Sequence, residues 1–395
     1  MSSKIRVGVI GGGQLCRMMG EEVRRLDLPF ALYTLDPTPD CPAAPFVEKQ
    51  IVGDFKDSSK IEKLADLVDI VTFEIETAGA DTLAEIERSG KIVAPSANAL
   101  GIIQNKLRQK EYLLSRGIPV APFLRVDNIG DLLGERSLDY PFLIKAQEGG
   151  YDGRGNTLVK APQDLDTVIA KFRDTAVYLE KYVDFQAEVS VIAARSRNGE
   201  IATYAVGRNI HQNNILHATI VPARMGYPVE EQWVLTPKDK DIAKRAQDVA
   251  LQVMNAFNTY GVFGIEMFVD KDGEILVNEV APRVHNTGHW TIEGAQTSQF
   301  VQHLYAISEM PLGSCELVGF SQPTYTTVML NILGPANLNG PYRIVKEGFF
   351  PMDVLVHDYG KSESRPERKL GHVTFVGYHL DETRKMMERI RVVPK

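Results

Sequence analysis

Short apolar runs alternate with amphipathic segments along the first hundred residues. The apolar runs Ile5–Ile10 and Ile70–Phe73, with a similar run at 30–35, predict buried strands. Residues 14–26 and 58–67 carry apolar side chains at helical spacing, which predicts amphipathic helices between these strands. Strands separated by single helices are typical of a parallel sheet with right-handed crossovers. The pattern therefore predicts a parallel-sheet domain at the start of the chain.

The pattern changes after a predicted helix at residues 98–116, which Gly117 and Pro119 end. The strands beyond it are close enough in sequence to form hairpins, and the clearest is joined by the turn sequence Asp-Lys-Asp-Gly at 270–273. We therefore predict an α/β protein, α+β overall, with three domains. They are a Rossmann-like parallel-sheet domain at 1–107, a domain of antiparallel sheets with helices at 108–305, and a small C-terminal domain at 306–395.

Composition narrows the class of protein. The 395 residues include 44% hydrophobic residues and carry a formal net charge of −7, so we expect no basic surface for nucleic acid. The cysteines Cys16, Cys41 and Cys315 are scattered, without metal or disulfide spacing, which indicates structural thiols in a reducing compartment. No signal-peptide pattern or bilayer-length apolar run is visible, so we expect a cytoplasmic protein without a membrane partner.

The first glycine-rich loop, 11–13, lies between a predicted strand and a predicted helix. Backbone N–H groups at the start of a helix bind anions. Asp36 ends the next strand, where an acidic residue contacts ribose in dinucleotide-binding folds. However, Cys16 stands where the third glycine of that motif would be. Binding of another phosphate-bearing ligand is the favoured interpretation, and a purely structural turn or a dinucleotide site are the alternatives.

The second glycine-rich loop, 149–156, has four glycines in eight residues between two predicted strands. It lacks the Gly-Lys-Ser/Thr ending of a Walker A loop, yet glycines let backbone N–H groups approach phosphate oxygens closely. Arg154 adds a cation within the loop, and Lys145 lies on the preceding strand. The loop therefore predicts phosphate binding, with a hairpin of no ligand-binding role as the alternative.

Two carboxylates, Glu266 and Glu279, lie on the strands flanking the turn at 270–273. An antiparallel hairpin brings them close together, and with the Asn278 amide they form the hard-oxygen site that Mg²⁺ prefers. The alternative is a solvated sheet face, which the apolar neighbours of both glutamates disfavour.

A polar segment follows directly. In it, Arg283 can bind an anion through two hydrogen bonds, and His285 can bind a ligand or move a proton. For His289 a structural role is the favoured interpretation. Upstream, the strand end at 180–183 offers backbone groups and a carboxylate to a purine, and Glu188 can accept hydrogen bonds from ribose hydroxyls.

In this order, these residues resemble the ATP-grasp superfamily. More narrowly, the chain resembles N5-carboxyaminoimidazole ribonucleotide synthetases over nearly its whole length, and five segments carry the resemblance. The segments are GGGQLCRMM at 11–19, FEIE at 73–76, GGYDGRGN at 149–156, APRVHNTGHWTIEGAQTSQF at 281–300 and RPERKLGHV at 365–373.

The resemblance implies an ATP-grasp fold and an ATP-dependent carbon–nitrogen ligase of purine biosynthesis. Such an enzyme carboxylates 5-aminoimidazole ribonucleotide with bicarbonate, through carboxyphosphate, and releases ADP and phosphate. The implied cofactors are ATP and Mg²⁺, or Mn²⁺ in its place, and the implied assembly is a homodimer.

The resemblance also implies roles for individual residues. Glu266 and Glu279 would hold the metal. The nucleotide would contact Lys106, Lys145, Gly150, Tyr151, Asp152, Gly153, Arg154, Gly155, Asn156, Glu180, Lys181, Tyr182, Val183, Glu188, His211, Asn278 and Glu279. The ribonucleotide acceptor would contact Gln14, Leu15, Glu76, Tyr151, Arg154, Lys361, Arg368 and Lys369. The catalytic groups would be Asp152, Arg283, His285 and Lys361.

The chain departs from the family pattern at three places. Cys16 stands where glycine is usual, Lys106 where arginine is also common, and the segment 361–365 is slightly long. Two other functions stay open: an ATP-grasp ligase for another acceptor, such as formate or an amino acid, and a non-catalytic nucleotide-binding regulator. A complete carboxylate pair at Glu266 and Glu279 argues against the regulator.

Overall fold

The computed structural model describes residues 4–127, 138–150, 155–225, 235–319, 326–351, 354–377 and 380–395. Its first part is a parallel sheet in the order β3-β2-β1-β4-β5. The strands are β1 (Ile5–Ile10), β2 (Phe30–Asp36), β3 (Lys49–Val52), β4 (Ile70–Phe73) and β5 (Ile92–Val93), and the crossover helices are α1 (Gln14–Arg25), α2 (Ser58–Leu67) and α3 (Ala80–Arg88). The predicted parallel sheet is confirmed. No described helix has the length and apolar character needed to cross a membrane.

The helix predicted at 98–116 is wrong as a single element, because the structure has two helices there. They are α4 (Ala97–Ile103) and α5 (Lys106–Ser115). Asn105 has an extended backbone between them, and its side-chain oxygen accepts a hydrogen bond from the Arg108 N–H at 2.9 Å. Asparagine is a strong N-cap residue, so it starts a new helix and places Lys106 in the first turn.

A small antiparallel sheet comes next, in the order β6-β9-β7-β8. Its elements are β6 (Phe123–Arg125), β7 (Phe142–Ala146), β8 (Asn156–Val159), α6 (Leu165–Lys171) and β9 (Val177–Lys181). Lys145 pairs with Asn156 on one side and with Tyr178 on the other. The central strand β7 therefore carries Lys145 between the second glycine-rich loop and β9.

A larger antiparallel sheet forms the centre of the molecule. Within the described residues its order is β15-β14-β10-β12-β13-β16-β19-β18, and β11 pairs with β10. Its elements are β10 (Phe185–Arg195), β11 (Ile201–Thr203), β12 (Gly207–Gln212), β13 (Ile215–Val221), α7 (Pro237–Phe257), β14 (Gly261–Asp270), β15 (Ile275–Ala281), α8 (Thr291–Gly294), α9 (Gln299–Ile307) and β16 (Thr327–Leu333). The apolar stripe of α7, including Ile242, Ala250 and Val253, packs against the side chains of β10 and β14 in one buried cluster.

The C-terminal part extends this central sheet. Its elements are β17 (Tyr342–Lys346), β18 (Leu355–Asp358), β19 (Lys369–Val376), α10 (Leu380–Met387) and β20 (Ile390–Pro394). β16 pairs with β13, and β19 pairs with β16, while β17 and β20 form a separate two-stranded sheet. Hydrogen bonding of the sheet is therefore continuous across the predicted boundary at residue 305, and C-terminal side chains reach the central sheet.

Candidate active site

The carboxylate pair is centred on the β14–β15 hairpin. Glu266 lies directly opposite Glu279, as the sequence predicted. The register then shifts, because Met267 pairs with Val277 and leaves Asn278 as an extra residue in β15. Neighbouring side chains of a regular strand point to opposite faces, but a bulge sets two residues against one. The bulge therefore sets both Asn278 and Glu279 against Glu266, an arrangement that the sequence pattern did not indicate.

A third carboxylate belongs to the same face of the sheet. Ser190 of β10 pairs with Glu266, and Glu188 lies two residues earlier on the same strand, hence on the same side. Glu188, Glu266 and Glu279 are called the carboxylate face below. His211 of β12 lies beside it, and its Nδ1 is 2.6 Å from Glu188 Oε2. The structure thus brings His211, Glu188 and Asn278, three of the predicted nucleotide ligands, together with the two predicted metal ligands.

Charge on the carboxylate face is not balanced. Burial raises the pKa of Glu266, as do the carboxylates of Glu279 and Glu188, to about 7, although His211 opposes the shift. Burial also raises the pKa of Glu279, but Lys106 more than offsets this, and the pKa is lowered overall. Repulsion between neighbouring carboxylates is what a divalent cation relieves. The oxygen donors of Glu266, Glu279 and Asn278 are those that Mg²⁺ prefers.

Helix α5 supplies cations to this face. The Lys106 ammonium donates to Glu279 Oε2 at 3.0 Å. Burial lowers the pKa of Lys106, but Glu279, Glu76 and Glu266 outweigh burial, and the pKa is raised overall. Gln109 fixes the helix on β15, since its amide donates to the Val280 carbonyl at 3.1 Å and accepts from the Val280 N–H at 3.0 Å. This Gln109 contact was not predicted from the sequence.

A second lysine cluster lies beside the first. Glu180 Oε1 accepts from Lys145 at 2.7 Å, and its Oε2 is 2.7 Å from the Lys110 ammonium. Burial raises the pKa of Glu180, but the two lysines outweigh burial and bring it to about 2. Both oxygens of the Glu180 carboxylate thus contact lysines, so the geometry does not support the predicted binding of a purine by this carboxylate. Lys110 was not predicted, although it lies four residues after Lys106 on one helix face.

Arg283 and His285 follow the carboxylate hairpin, and both contact neighbouring elements. One Arg283 terminal nitrogen lies 2.6 Å from Glu76 Oε1, and the other donates to the Val284 carbonyl at 3.0 Å. The buried Arg283 Nε has no hydrogen-bond partner among the described residues. The structure therefore joins Arg283 with Glu76 of the N-terminal domain and leaves one buried donor for a ligand.

His285 is held in one orientation. Its backbone N–H donates to Gln299 Oε1 at 2.8 Å, its carbonyl accepts from Gln299 Nε2 at 2.7 Å, and its Nδ1 lies 2.9 Å from Thr287 Oγ1. A Cβ at Gly264 would lie 2.5 Å from the His285 Cβ, so the ring needs glycine there. Burial, and next the Arg283 charge, hold the His285 pKa well below its usual range. The imidazole is therefore neutral at neutral pH and acts through hydrogen bonds.

His289 has a structural setting. It is 1% exposed, and its ring centroid lies 4.9 Å from that of His372. Its Nδ1 is 3.1 Å from Gln299 Nε2. The structural interpretation is therefore the one that the contacts support.

The first glycine-rich loop differs from the favoured prediction. The Gly12 N–H donates to Asp36 Oδ2 at 2.9 Å, the Cys16 N–H donates to Glu74 Oε2 at 2.7 Å, and the Gly13 N–H donates to Glu74 Oε1. The amides expected to bind a phosphate or dinucleotide already bind the chain's own carboxylates. The loop is thus a structural turn at these three amides.

The predicted acceptor contacts near this loop differ in burial. Leu15 is a core residue at 6% exposure, so a contact between its side chain and the acceptor is not supported. Gln14 is half-buried at the start of α1, and its contact with the acceptor stays a prediction.

The predicted C-terminal residues lie around the start of β19. The Lys361 ammonium donates to the Lys369 carbonyl at 2.6 Å, and Arg368 donates to the Glu363 carbonyl at 2.8 Å. Burial raises the pKa of Glu266 and lowers that of His285; the Lys369 charge opposes the first shift and adds to the second. The basic segment is therefore close enough to act on the site electrostatically.

The second glycine-rich loop is described only at its base. Ala146 donates to the Gly155 carbonyl at 2.8 Å, and Gly155 has a φ of +93°, where glycine is favoured. Gly150 and Asn156 are also described, and the latter lies in β8. The remaining predicted residues of this loop, Tyr151, Asp152, Gly153 and Arg154, lie outside the described residues.

Comparisons with known protein families cover most of the chain. Residues 4–104 match the ribonucleotide synthetase preATP-grasp domain. Residues 111–300 match the ATP-grasp domain, and residues 327–386 match the phosphoribosylaminoimidazole carboxylase C-terminal domain.

Individual proteins are similar to this chain over nearly its whole length. The N5-carboxyaminoimidazole ribonucleotide synthase of Bacillus subtilis is 35% identical over 97% of this chain and 96% of its own. The chloroplastic phosphoribosylaminoimidazole carboxylase of Vigna aconitifolia is 36% identical, and the chain spans 65% of its length. The crystal structure of the Thermotoga maritima synthetase has a TM-score of 0.83 at 36% identity, covering 99% of this chain and 100% of that one. An Aspergillus clavatus synthase in complex with ADP and 5-aminoimidazole ribonucleotide has a TM-score of 0.82 at 30% identity, covering 98% of both chains.

Proposed function

The chain belongs to the N5-carboxyaminoimidazole ribonucleotide synthase family of ATP-grasp ligases, and from this membership we propose how its own residues carry out the reaction. The reaction is the ATP-dependent carboxylation of 5-aminoimidazole ribonucleotide, with bicarbonate as the carboxyl source and ADP and phosphate as products. The observation that carries the proposal is the carboxylate face, flanked by Lys106 on one side and by Arg283 and His285 on the other.

The ATP phosphates contact Lys106 and Lys145, whose ammonium groups lie on neighbouring carboxylates. Glu266, Glu279 and the Asn278 amide would hold Mg²⁺, or Mn²⁺ in its place, and such a cation would neutralise phosphate charge. Phosphoryl transfer depends mainly on positioning and charge neutralisation, which these fixed side chains provide. Glu188 binds the ribose and stays hydrogen-bonded to His211. Backbone groups of Lys181, Tyr182 and Val183 bind the adenine, because the Glu180 carboxylate is engaged by lysines.

Arg283 and His285 bind bicarbonate and then carboxyphosphate. The Arg283 Nε is a buried donor with no partner in the described residues, which suits an oxyanion. The neutral His285 ring adds a directional hydrogen bond without competing for negative charge. Held between these groups, bicarbonate oxygen attacks the γ-phosphorus, ADP leaves, and carboxyphosphate forms beside the acceptor.

The acceptor amine then takes the carboxyl group as phosphate leaves. Lys361, Arg368 and Lys369 bind the phosphate of the ribonucleotide, and Glu76 and Gln14 contact its other groups. Tyr151 and Arg154 are proposed to face the imidazole, and Asp152 to hydrogen-bond its amine. Three further expectations stay predictions: the homodimer, the cytoplasmic location and the domain boundaries after residues 107 and 305.

A phosphate-release assay tests this function. The full chain is supplied with ATP, Mg²⁺ and bicarbonate, with and without 5-aminoimidazole ribonucleotide. We expect release to depend strongly on the ribonucleotide, with formate and amino acids inactive as acceptors. Turnover with formate or an amino acid would indicate the alternative ligase, and nucleotide binding without turnover for any acceptor would indicate a regulator.

A further inference from the structure

Three charged side chains are buried together between α5 and the small sheet. Lys110 is 2% exposed, Glu180 1% and Lys145 7%. Both lysines contact the one carboxylate, each ammonium lying 2.7 Å from a different oxygen. The cluster therefore has two cations for one anion, which differs from an isolated buried ion pair.

The excess cation has a consequence for Lys145. Under the proposed function, the Lys145 ammonium contacts ATP phosphates, so its contact with Glu180 weakens when nucleotide binds. A buried carboxylate that loses its only cation is strongly destabilised. If Lys145 were the only partner of Glu180, phosphate oxygens would have to compete with a buried carboxylate for it.

Lys110 is held in place independently of the nucleotide. Its ammonium also donates to the Val277 carbonyl at 3.4 Å, and Gln109 beside it makes two hydrogen bonds to Val280 of the same strand. The buried Lys110 side chain therefore stays on Glu180 whichever partner Lys145 contacts.

We propose that Lys110 is a positioning residue for nucleotide binding, because it neutralises Glu180 and so lets Lys145 transfer from that carboxylate to the phosphates of ATP. This inference rests on the proposed function only in taking ATP as the ligand of Lys145. Lys110 itself touches no substrate in this scheme.

The test is a double-mutant cycle read by direct binding of ADP and Mg²⁺ to the full chain by calorimetry. In the parent protein, which has Glu180, the Lys110→Met substitution should weaken nucleotide affinity by about tenfold or more, because Glu180 then retains Lys145. In the Glu180→Gln background, no carboxylate retains Lys145, so the same substitution should change the affinity by less than about twofold. Lys110→Arg, which keeps the cation, should stay near the parent affinity. Lys63→Met, at an exposed position of α2, is the matched control.

Steady-state kinetics separate positioning from damage to the fold. Lys110→Met should raise the KM for ATP while the KM for 5-aminoimidazole ribonucleotide stays close to the parent value. The proposal would be overturned if Lys110→Met had an equal effect on ADP affinity in the parent protein and in the Glu180→Gln variant. It would also be overturned if Lys110→Met had no effect on ADP affinity in the parent protein. If the Lys110→Met single variant does not fold, the comparison of Glu180→Gln with the Glu180→Gln, Lys110→Met double variant decides. A tenfold loss of ADP affinity between these two would contradict the proposal. ADP binding does not depend on the acceptor, so failure of the acceptor assay would refute the proposed function without deciding the role of Lys110.

Discussion

Two regions of the molecule hold carboxylates that are partly or fully shielded from solvent, and they differ in what satisfies the negative charge. At the first glycine-rich loop, Glu74 accepts hydrogen bonds from the Gly13 and Cys16 amides, and Asp36 accepts one from Gly12. On the carboxylate face, Glu266 lies among other carboxylates, and the pKa of Glu266 rises to about 7. The first region is completed by backbone amides of the chain itself, whereas the second is the site at which we propose that a divalent cation binds.

The groups that surround each carboxylate help to separate structural from functional carboxylates. Both groups are half-buried, and loss of solvent raises the pKa of Glu74 as well as that of Glu266. For Glu74 the backbone amides of Cys16 and Gly13 oppose that rise and Asp36 adds to it, whereas for Glu266 the His211 side chain opposes it and the two carboxylates of Glu279 and Glu188 add to it. A glycine motif alone is therefore weaker support for a ligand site than the group of neighbouring carboxylates at which we propose one.

The largest expected effect comes from removing one charge of the unbalanced region. Glu279→Gln should reduce metal-dependent phosphate release by about a hundredfold or more, because a ligand of the cation and a partner of Lys106 are lost. Phosphate release measured against Mg²⁺ concentration checks this. Glu274→Gln, at an exposed position just before the same strand, is the matched control and should leave turnover unchanged. Near-normal turnover of Glu279→Gln with an intact fold would refute the metal assignment.

Arg283→Ala tests whether Arg283, beside the carboxylate face, binds bicarbonate and carboxyphosphate. We expect kcat to fall by about tenfold to a hundredfold while the affinity for ADP changes by less than about threefold, since Arg283 is proposed to bind bicarbonate and carboxyphosphate. Turnover and ADP calorimetry together check this. An equal loss of turnover and of nucleotide affinity would instead indicate that the contact between Arg283 and Glu76 is structural. Arg245→Ala, on the exposed face of α7, is the control.

Glu74→Gln tests the balanced region. Glutamine has one acceptor oxygen where glutamate has two, so a buried amide of Gly13 or Cys16 loses its partner. The free energy of unfolding should fall by about 1–3 kcal/mol, as measured by urea denaturation. Affinity for ADP should not change. Weakened ligand binding with unchanged stability would show that the first glycine-rich loop serves a ligand after all.

The smallest expected effect concerns a carboxylate paired one to one, Glu293, whose Oε1 lies 2.6 Å from His357 Nε2. Burial lowers the pKa of His357, but Glu293 outweighs burial, and the pKa is raised overall. Stability from this pair is therefore present below the unfolded pKa of about 6.5 and is lost as pH rises through the higher folded value.

His357→Gln should consequently lower the free energy of unfolding more at pH 6 than at pH 9, by about 1 kcal/mol or less. Urea denaturation of parent and variant at the two pH values measures the difference. Glu293→Gln should follow the same trend. A difference between parent and variant that grows with pH would contradict the assignment.

Much of the fold could be predicted because it depends on local patterns. The apolar runs and helical spacings of the first hundred residues gave the parallel sheet, and the turn at 270–273 gave the pairing of Glu266 with Glu279. The break between α4 and α5 was missed, although Asn105 is a capping residue in the sequence. The apolar spacing of residues 98–116 continues through the break. The prediction followed this spacing and did not take Asn105 as the start of a second helix.

The sequence by itself determined most of the secondary structure, the family and most residue types of the proposed site. Only the tertiary structure decided which charges are balanced. Glu74 reaches a loop 61 residues earlier in the chain, and Lys110 of helix α5 meets a carboxylate of the small sheet. Lys369 lies near the proposed site because β19 extends the central sheet. Periodicity reports which side of an element is buried, but the partners of a buried charge depend on the order and register of distant strands.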